Sequence, residues 1–331
     1  MSEAQNFQKY IENSIKNEQY KFFENWVDNF GSNLENIWKE NSAGELNLDN
    51  NNSIEKNSAI VIGRGPSIKK HDHLKLLSES NFQGSIVCCD GKLADVLKSG
   101  ITPDKFPNFY VVTIDPYLPI KKFYDHSIID EYGSRIKALF TTIADPNVVN
   151  RARNSGMKIH WFHSLFDLNE GQKSFNQISA RIVRTKKHLK GLPAIQTGGN
   201  VGTSSWFVSW KILKCSNVGL IGINHGWEED DPWDLILSHT LSNNEITSTN
   251  SIELDHDSEE FKKLFPIIHN PDLNSNCILD PIFQFYRTAF IEFISRSPSW
   301  VKTINATEGG SIFGKNIETM KFIDFLTKFQ K

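Results

Sequence analysis

Short apolar runs recur along the middle of the chain and set its main pattern. Segments with helical spacing of apolar residues, such as HLKLLSES and GTSSWFVSWKILKC, lie between them. The runs between residues 59 and 224 are AIVIG, GSIVCCD, FYVVTID, ALFTTIA, KIHWFH, PAIQT and VGLIGIN. Continuous β-branched runs divided by helical patterns are typical of buried parallel strands in βαβ units. The pattern predicts an α/β fold with a Rossmann-like, mostly parallel sheet and helices on both faces.

The beginning of the chain departs from this pattern. Residues 4–40 have apolar side chains at helical spacing and predict an N-terminal helical arm, followed by a polar, Asn-rich linker at residues 41–58. Packing of the arm on the main domain is the favoured interpretation, because an amphipathic helix buries its apolar face. The alternative is a docking or dimerisation element, which would make the protein a homo-oligomer.

The end of the chain is different again. Residues 227–260 are acidic and loop-rich and predict an excursion over the open face of the sheet, before a helix at 280–296, a strand in SWVKTINA and a last helix at 317–329. We therefore expect an N-terminal arm and linker (1–57), a Rossmann-like core (58–225) and a lid-like excursion whose C-terminal elements complete the core (226–331).

Composition narrows the class of protein. With 331 residues and a formal net charge of −3, the chain has no basic field that would favour nucleic acid. No apolar stretch reaches the roughly 20 residues of a membrane span, and the N-terminus lacks the apolar run of a signal peptide. The four cysteines fit neither a disulfide framework nor a zinc spacing. We expect a reduced, cytoplasmic protein with no membrane span and no nucleic-acid partner.

Polar or glycine-rich turns follow five of the predicted strands. In open α/β sheets, ligands bind beyond the carboxyl ends of the strands, so these turns predict one binding crevice. The turns contain Gly63, Arg64, Gly65, Pro66 and Ser67; Asp90 and Gly91; Asp115 and Pro116; Thr197, Gly198, Gly199 and Asn200; and Gly222, Ile223, Asn224 and His225.

The two glycine-rich turns each have a functional and a structural interpretation. GRGPS at residues 63–67 is either a phosphate site or a tight strand-to-helix connection. It does not complete a dinucleotide fingerprint, because Ile68 stands where the third glycine is required. In TGGN, the glycines precede a predicted helix at 201–214, and Thr197 and Thr203 add hydroxyls. This turn is either a second anion site or a plain turn.

Four ionisable residues are candidates for more specific chemistry. Asp90 closes the second strand where a ribose-binding acid would lie, and Asp115 could bind metal or substrate; helix capping is the alternative for both. His225 and His239 flank the acidic excursion, and imidazole has a pKa suited to general acid–base catalysis. A hydrogen bond in the lid is the alternative for each histidine.

The sequence also resembles a known family. IVIGRGPSI, VCCDGKLADVLKSGITPD, VVTIDP, IQTGGNVGTSS and VGLIGIN resemble the MptE-like family, which includes archaeal 6-hydroxymethyl-dihydropterin pyrophosphokinases and the bacterial motility-associated factors (Maf). TINATEGGSIFGK resembles a C-terminal motif of the Maf branch. The GPS turn and TGGNVG also resemble bacterial sialyltransferases that use CMP-sialic acid.

The resemblance implies a nucleotide-using transferase and assigns residues. By similarity to the sialyltransferases, the turns at 63–67 and 197–200 would hold the phosphates and ribose of the nucleotide. A histidine beyond the last core strand is the base in those enzymes, and His239 is the best placed candidate here. Those enzymes have Asn at the position of Arg64, which could contact phosphate directly.

Two reactions and one non-catalytic role follow from the resemblance. A pterin pyrophosphokinase transfers diphosphate from ATP and needs Mg²⁺ held by carboxylates, for which Asp115 would be the ligand. A glycosyltransferase would use a CMP-activated, sialic-acid-like sugar and a glycan or protein acceptor, and it is favoured because the strand end VTIDP has a single acid. The third possibility is a nucleotide-binding module without catalysis. In each case the nucleotide is a bound substrate or ligand, and we expect no tightly bound cofactor.

Overall fold

A ten-stranded sheet forms the centre of the computed structural model, which describes residues 23–47, 57–165, 174–187, 191–242 and 258–329. The strands of this sheet are β1 (Asn41–Ser42), β2 (Ser58–Ile62), β3 (Ser85–Cys89), β4 (Phe109–Thr113), β5 (Lys137–Thr141), β6 (Lys158–Leu165), β7 (Ala194–Gln196), β8 (Asn217–Ile221), β12 (Lys302–Asn305) and β13 (Ile317–Thr319). A smaller antiparallel sheet contains β9 (Trp227–Glu228), β10 (Ile267–Asn270) and β11 (Ser275–Ile278).

The order of the strands reverses at the middle of the large sheet. Neighbouring strands run β1-β6-β5-β4-β3-β2-β8-β12-β13, and β7 pairs with the second half of β6. Each of these pairs is parallel. The chain therefore builds outward from β2 to β6 and then returns to place β8 on the other side of β2. This reversal is the topological switch point at which doubly wound folds bind ligands. The predicted α/β fold with a mostly parallel sheet is confirmed.

Helices cover both faces of the large sheet, because side chains of its strands alternate between two apolar layers. In β2, Ile60 and Ile62 enter one layer while Ala59 and Val61 enter the other. The first layer packs against α1 (Phe23–Lys39), α2 (Ser67–Lys70), α3 (His73–Glu79), α4 (Leu93–Lys98), α5 (Ser127–Tyr132), α6 (Pro146–Asn154), α7 (Phe175–Arg184) and α12 (Phe322–Lys328). The second packs against α8 (Val201–Phe207), its π-helical continuation Val208–Ile212, and α11 (Pro281–Ser295).

Helix α1 confirms part of the predicted N-terminal arm and shows where it packs. The amides of Asn29 and Asn33 donate to backbone carbonyls of the loops after β4 and β5. Just after the helix, Glu40 accepts hydrogen bonds from Arg153 and from the indole of Trp161. Residues 23–39 are thus fixed to the core, as favoured above. The rest of the predicted arm lies outside the described residues, and a homo-oligomer formed through it stays a prediction.

The C-terminal third differs from expectation in two places. The acidic excursion contains more regular structure than predicted, namely β9 and a helix, α9 (Trp233–Ser242), with α10 (Glu259–Leu264) following; residues 243–257 lie outside the described part. The predicted helix at 317–329 is wrong in its first turn, because Ile317–Thr319 pair with β12 as strand β13. The predicted helix at 280–296 and the strand in SWVKTINA are confirmed by α11 and β12.

The large sheet draws strands from all three predicted segments, since β1 lies before residue 57 and β12 and β13 lie after residue 226. The domain boundaries proposed from the sequence stay predictions. Among the helices that the structure describes, none is both long and apolar enough to cross a membrane.

Candidate active site

The GRGPS turn leaves β2 in direct contact with the turn that leaves β8. The N–H groups of Gly63 and Gly65 donate to the carbonyls of Ile221 and Gly222, at 2.9 and 2.8 Å. A Cβ on Gly63 would lie 2.3 Å from the Gly222 carbonyl oxygen, and one on Gly65 would lie 1.9 Å from Asn224 Oδ1. The glycines are therefore explained by close backbone packing at the switch point. Their two N–H groups are already bonded, so phosphate contacts predicted for this turn would come from its other groups.

Asn224 joins the turns at the switch point to the TINATEGGS segment. Its Oδ1 accepts a 2.9 Å hydrogen bond from Ser67 Oγ, and its backbone carbonyl accepts one from the N–H of Ser311. A Cβ on Gly310 would lie 2.2 Å from that carbonyl oxygen. The C-terminal motif found in the sequence thus wraps the exit of β8, and its glycine allows that close approach.

Asp90 and Asp115 lie at the exits of the neighbouring strands β3 and β4. The register places Cys89 opposite Val112, so both carboxyl groups reach the same edge of the sheet. Asp90 is 3% exposed; its Oδ1 accepts from the N–H of Gly91 at 2.6 Å, while Oδ2 is buried without a hydrogen-bond partner among the described residues. Neither residue has the helix-capping bond considered from the sequence, in which the side chain accepts from a later N–H of the helix.

The proximity of the two carboxyl groups changes their ionisation. Burial, followed by the nearby charge of Asp115, raises the pKa of Asp90 to about 7. Burial raises the pKa of Asp115 to about 6, while the charge of Arg64 lowers it. Two carboxylates at one buried edge cannot both ionise easily, because like charges repel strongly away from water. The pair therefore favours a ligand that brings hydroxyls or positive charge.

Arg64 crosses from the first turn to the second. An ideal Cβ on Gly91 would lie 2.7 Å from Arg64 Cδ and 2.9 Å from Nε, so the side chain runs over the position where any other residue would project. The guanidinium also lies 5.0 Å from the centre of the Phe123 ring, as a cation–π contact. Its charge lowers the pKa of both Asp90 and Asp115 against the larger effect of burial. Arg64 thus brings positive charge near the acid pair, although among the described residues it forms no direct ion pair with either carboxylate.

The TGGN turn lies at the same edge of the sheet. Helix α8 packs against β2, β3 and β4, and its first turn touches the exit of β8, where a Cβ on Gly202 would meet Ile223 at 2.7 Å. Gly198 and Gly199 have φ angles of +57° and +81°, which glycine adopts without strain. Asn200 caps the helix by accepting from the N–H of Thr203 at 2.8 Å. The N–H of Gly199 already donates to Thr197 Oγ1 at 3.3 Å and that of Asn200 to the Thr197 carbonyl at 3.1 Å, so anion contacts predicted for this turn would come from its other groups.

Helix α11 covers the TGGN turn with aromatic side chains. A Cβ on Gly199 would lie 2.6 Å from the ring of Tyr286 and 3.0 Å from that of Phe285. Tyr286 is also 5.8 Å, centre to centre, from the ring of His225. Gly199 therefore leaves room for these rings, and the turn opens toward the face of α11 that carries them.

The partly exposed His239 pairs with the buried Asp280. Its Nδ1 donates a 2.7 Å hydrogen bond to Asp280 Oδ2, which also accepts from the indole N–H of Trp227 at 2.7 Å. Asp280 is fully buried at the start of α11, and its Oδ1 caps that helix by accepting from the N–H of Phe283. The imidazole stacks on the Phe283 ring at 4.5 Å. A carboxylate that holds Nδ1–H fixes the tautomer that accepts a proton at Nε2.

His225 lies on the other side of the same phenylalanine. Its ring is 6.1 Å from that of Phe283, its φ is +41°, and it is 7% exposed. Burial lowers the pKa of His225 to about 3, so the imidazole is neutral near pH 7. Proton uptake is therefore disfavoured at His225, and the geometry favours His239 between the two histidines considered from the sequence.

A cavity of about 800 Å³ lies at the other half of the same sheet edge, beyond β8, β12 and β13. Its lining includes Lys70, Glu228, Asp272, Glu308 and Lys321. Trp227 and Glu228 are consecutive in β9, so their side chains point to opposite faces of the small sheet. His239, which packs against Trp227, therefore lies across that sheet from the cavity.

The residues predicted from sequence thus form two groups. Arg64, Asp90 and Asp115 come together at the exits of β2, β3 and β4, while His225 and His239 pack on Phe283 near the TGGN turn. Asp280 and Tyr286 were missed. The sequence DPIF did mark Asp280 as a helix cap, but its histidine partner lies 41 positions away and no local pattern indicates it.

The residues do not fit the Mg²⁺ ion that a diphosphokinase would need. A divalent cation would bind Asp90 and Asp115 together with substrate phosphates and water, but the Arg64 guanidinium already supplies positive charge there. Among residues that the structure describes, no three His, Cys, Asp or Glu side chains form a group that could hold a metal ion.

Comparison with known proteins assigns the chain to a family. The family model described as 6-hydroxymethylpterin diphosphokinase MptE-like matches residues 28–230. No curated protein matches the chain. Among solved structures, the MAf glycosyltransferase from Magnetospirillum magneticum AMB-1 is similar in fold, with a TM-score of 0.53 and 14% sequence identity. The match covers 89% of this chain and 41% of that one, so the chain corresponds to less than half of the solved protein. The model match extends over more than half of the chain, which therefore belongs to the MptE-like family.

Proposed function

We propose that this protein transfers a sialic-acid-like sugar from a CMP-activated donor to a hydroxyl group of a glycan or protein acceptor. The observation that carries the proposal is the His239–Asp280 pair, with Nδ1 and Oδ2 2.7 Å apart. An imidazole oriented by a buried carboxylate is the arrangement that general-base catalysis requires. The similarity in fold to a protein described as a glycosyltransferase is consistent with this reaction.

The donor would lie along the carboxyl edge of β2, β3 and β4. Asp90 and Asp115 would accept hydrogen bonds from the ribose hydroxyls, since a carboxyl group after a strand is suited to that contact. The phosphate would lie in the concavity of Gly198, Gly199 and Asn200, where the two glycines would let an anion approach the backbone closely. Arg64 would add positive charge on the opposite side. The sugar would then extend toward the aromatic face of α11 and His239.

The proposed reaction exchanges one bond for another at the anomeric carbon. The acceptor hydroxyl loses its proton to Nε2 of His239 as its oxygen bonds to the anomeric carbon of the sugar. The bond between that carbon and the phosphate oxygen breaks, and CMP leaves with the electron pair. Asp280 stabilises the imidazolium that results, because its carboxylate is fixed beside Nδ1.

A diphosphokinase is the second candidate, and two observations favour it. The matching family model carries that description, and the structure places Asp90 beside Asp115, whereas the sequence showed a single acid at the end of β4. Two carboxylates are enough for Mg²⁺ when phosphates supply the other ligands. The position of Arg64 weighs against this candidate.

Thermal denaturation with CMP, CDP, ATP and ADP, each with and without Mg²⁺, tests the proposal. We expect CMP and CDP to raise the melting temperature without metal, because a ligand that binds the folded state stabilises it. Release of CMP from CMP-sialic acid, measured by chromatography, then tests turnover. Stabilisation by ATP in the presence of Mg²⁺ alone would instead support the diphosphokinase. Stabilisation by nucleotide without turnover of either donor would support a non-catalytic binding module.

A further inference from the structure

We infer that Arg64 takes the place of a divalent cation beside Asp90 and Asp115, and that its removal creates a divalent-cation site. Two carboxyl groups lie at the exits of adjacent strands, and one of their oxygens, Asp90 Oδ2, is buried without a hydrogen bond of normal length among the described residues, although the Thr113 hydroxyl is near enough to lower the pKa of Asp90. A buried carboxyl oxygen in that state is suited to a cation. The inference concerns the cation at this edge and does not depend on which donor binds.

The position of Arg64 is fixed by three features of the fold. Its stem passes over Gly91, where a Cβ would lie 2.7 Å from Cδ, so a side chain at residue 91 would displace it. Its guanidinium lies 5.0 Å from the ring centre of Phe123, on the helical segment Leu118–Phe123 that follows β4. Its backbone belongs to the turn held by the bonds of Gly63 and Gly65 to the β8 exit. The charge is therefore built into the fold rather than carried on a loosely placed surface residue.

A guanidinium and a divalent ion compete at this position. Arg64 lies against Gly91, the residue next to Asp90, and a fixed positive charge there repels a cation that approaches the two carboxylates. Asp90 also has limited capacity for ligands, because its Oδ1 already accepts from the Gly91 N–H. In the native protein the acid pair is therefore balanced without metal, and the nucleotide would bind without a bridging ion.

Four variants distinguish the effect of the Arg64 charge from the effect of its side-chain shape. Arg64→Met removes the charge and keeps an unbranched stem over Gly91 and Phe123, whereas Arg64→Lys keeps the charge and is the matched control. Arg64→Met combined with Asp115→Asn removes one carboxylate of the proposed site. Gly91→Ala keeps Arg64 in the sequence but displaces its side chain. This variant can therefore test the inference if Arg64→Met does not fold.

Binding of Mn²⁺, which takes the same oxygen ligands as Mg²⁺, is measured by the loss of the free-ion electron paramagnetic resonance signal, without nucleotide. We expect Arg64→Met and Gly91→Ala to bind Mn²⁺ at least about tenfold more tightly than the wild type and Arg64→Lys. The double variant should lose that gain. Equal Mn²⁺ affinity in the wild type and Arg64→Met, or a gain in affinity that persists in the double variant, would overturn the inference. Because no nucleotide is present, either result leaves the choice of donor to the thermal experiment above.

Discussion

Ser67 donates a 2.9 Å hydrogen bond to Asn224, although 157 positions separate the two residues in the chain. This bond links the GPS turn after β2 to the GINH turn after β8, the two strands at which the order of the sheet reverses. The tight fit around it has a consequence for stability, because Gly65 lies against the same Asn224 side chain.

Gly65→Ala should destabilise the protein. The added methyl group would lie 1.9 Å from Asn224 Oδ1, so the turns must separate, and overpacking of this kind costs about 1–3 kcal/mol. Gly31→Ala is the control, because a Cβ at that position in α1 meets nothing within 4 Å and should raise stability by about 0.5–1 kcal/mol. Urea titrations of both variants give the free energies of unfolding. An unchanged value for Gly65→Ala would mean that the turns are not closely coupled.

His239→Ala should lower turnover about 10²- to 10⁴-fold with little change in donor affinity, as expected for loss of a general base. Asp280→Asn keeps the oxygen that caps α11 but removes the charge beside Nδ1, so a smaller loss in the same direction is expected. His269→Ala, on the exposed hairpin strand β10, is the control. Initial rates of CMP release at several donor concentrations separate the two effects. Wild-type turnover in His239→Ala would remove the general-base proposal.

Gly198→Val and Gly199→Val should each abolish nucleotide binding. Valine is strained at φ of +57° or +81°, and at residue 199 it also collides with Tyr286, so the concavity proposed for phosphate closes. Gly100→Val controls for backbone strain, because Gly100 has φ of +83° just after the end of α4, and a Cβ there meets only Ser78 at 4.0 Å. Isothermal titration with CMP measures affinity. A change within about threefold, or ~0.7 kcal/mol, would show that phosphate does not bind here.

Asp90 should make the protein less stable as pH rises. The pKa of Asp90 is about 7 in the folded state and near 3.8 in the unfolded state, so the unfolded state loses this proton at lower pH. Between about pH 4 and 7, deprotonation therefore stabilises the unfolded state relative to the folded state. Asp90→Asn removes this effect, and its stability relative to wild type should grow across that window by at most about 4 kcal/mol. Asp234→Asn, on the exposed side of α9, controls for net charge. Parallel pH profiles for Asp90→Asn and wild type in thermal denaturation would contradict the prediction.

Glu40→Ala should destabilise the attachment of α1. Glu40 is bonded to Arg153 at 2.6 Å and to the buried indole of Trp161 at 2.8 Å, so its loss leaves partly buried donors without a partner, at a cost of about 1–3 kcal/mol. Glu35→Ala removes an exposed ion pair with Lys39 and should leave the free energy of unfolding nearly unchanged, because solvent screens exposed charges. Urea unfolding compares the two. Similar small losses in both variants would mean that the contacts of Glu40 contribute little.

The sequence was sufficient for the core of the sheet because its strands are long, continuous apolar runs. It missed β1, β9 and β13, which have two or three residues each and therefore no measurable periodicity, and it also missed the hairpin of β10 and β11. The apolar spacing of the following helix extends back over Ile317–Thr319 and predicts helix there, whereas their pairing with β12 is a tertiary contact that the local pattern does not show.

The candidate site, too, could be predicted from the sequence only in part. Residues at strand exits could be placed from the sequence, because parallel strands bring their carboxyl ends to one edge. Arg64 over Gly91, and Asp280 against His239, depend on how separate segments pack, and neither leaves a local pattern. The sequence also did not show why GRGPS contains glycines, since they pack against another turn of the same chain.

Strand β6 pairs with two separate short strands along one edge. Asn41 and Ser42 of β1 cover its first half, and Ala194–Gln196 of β7 cover its second half. A fragment that began at residue 58 would keep β7 but leave the backbone groups of His160 and Trp161 facing solvent. Exposed strand edges recruit further strands, so such a fragment would be prone to aggregate through β6. By pairing with this part of β6, strand β1 therefore protects the edge of the sheet from pairing with another copy of the chain.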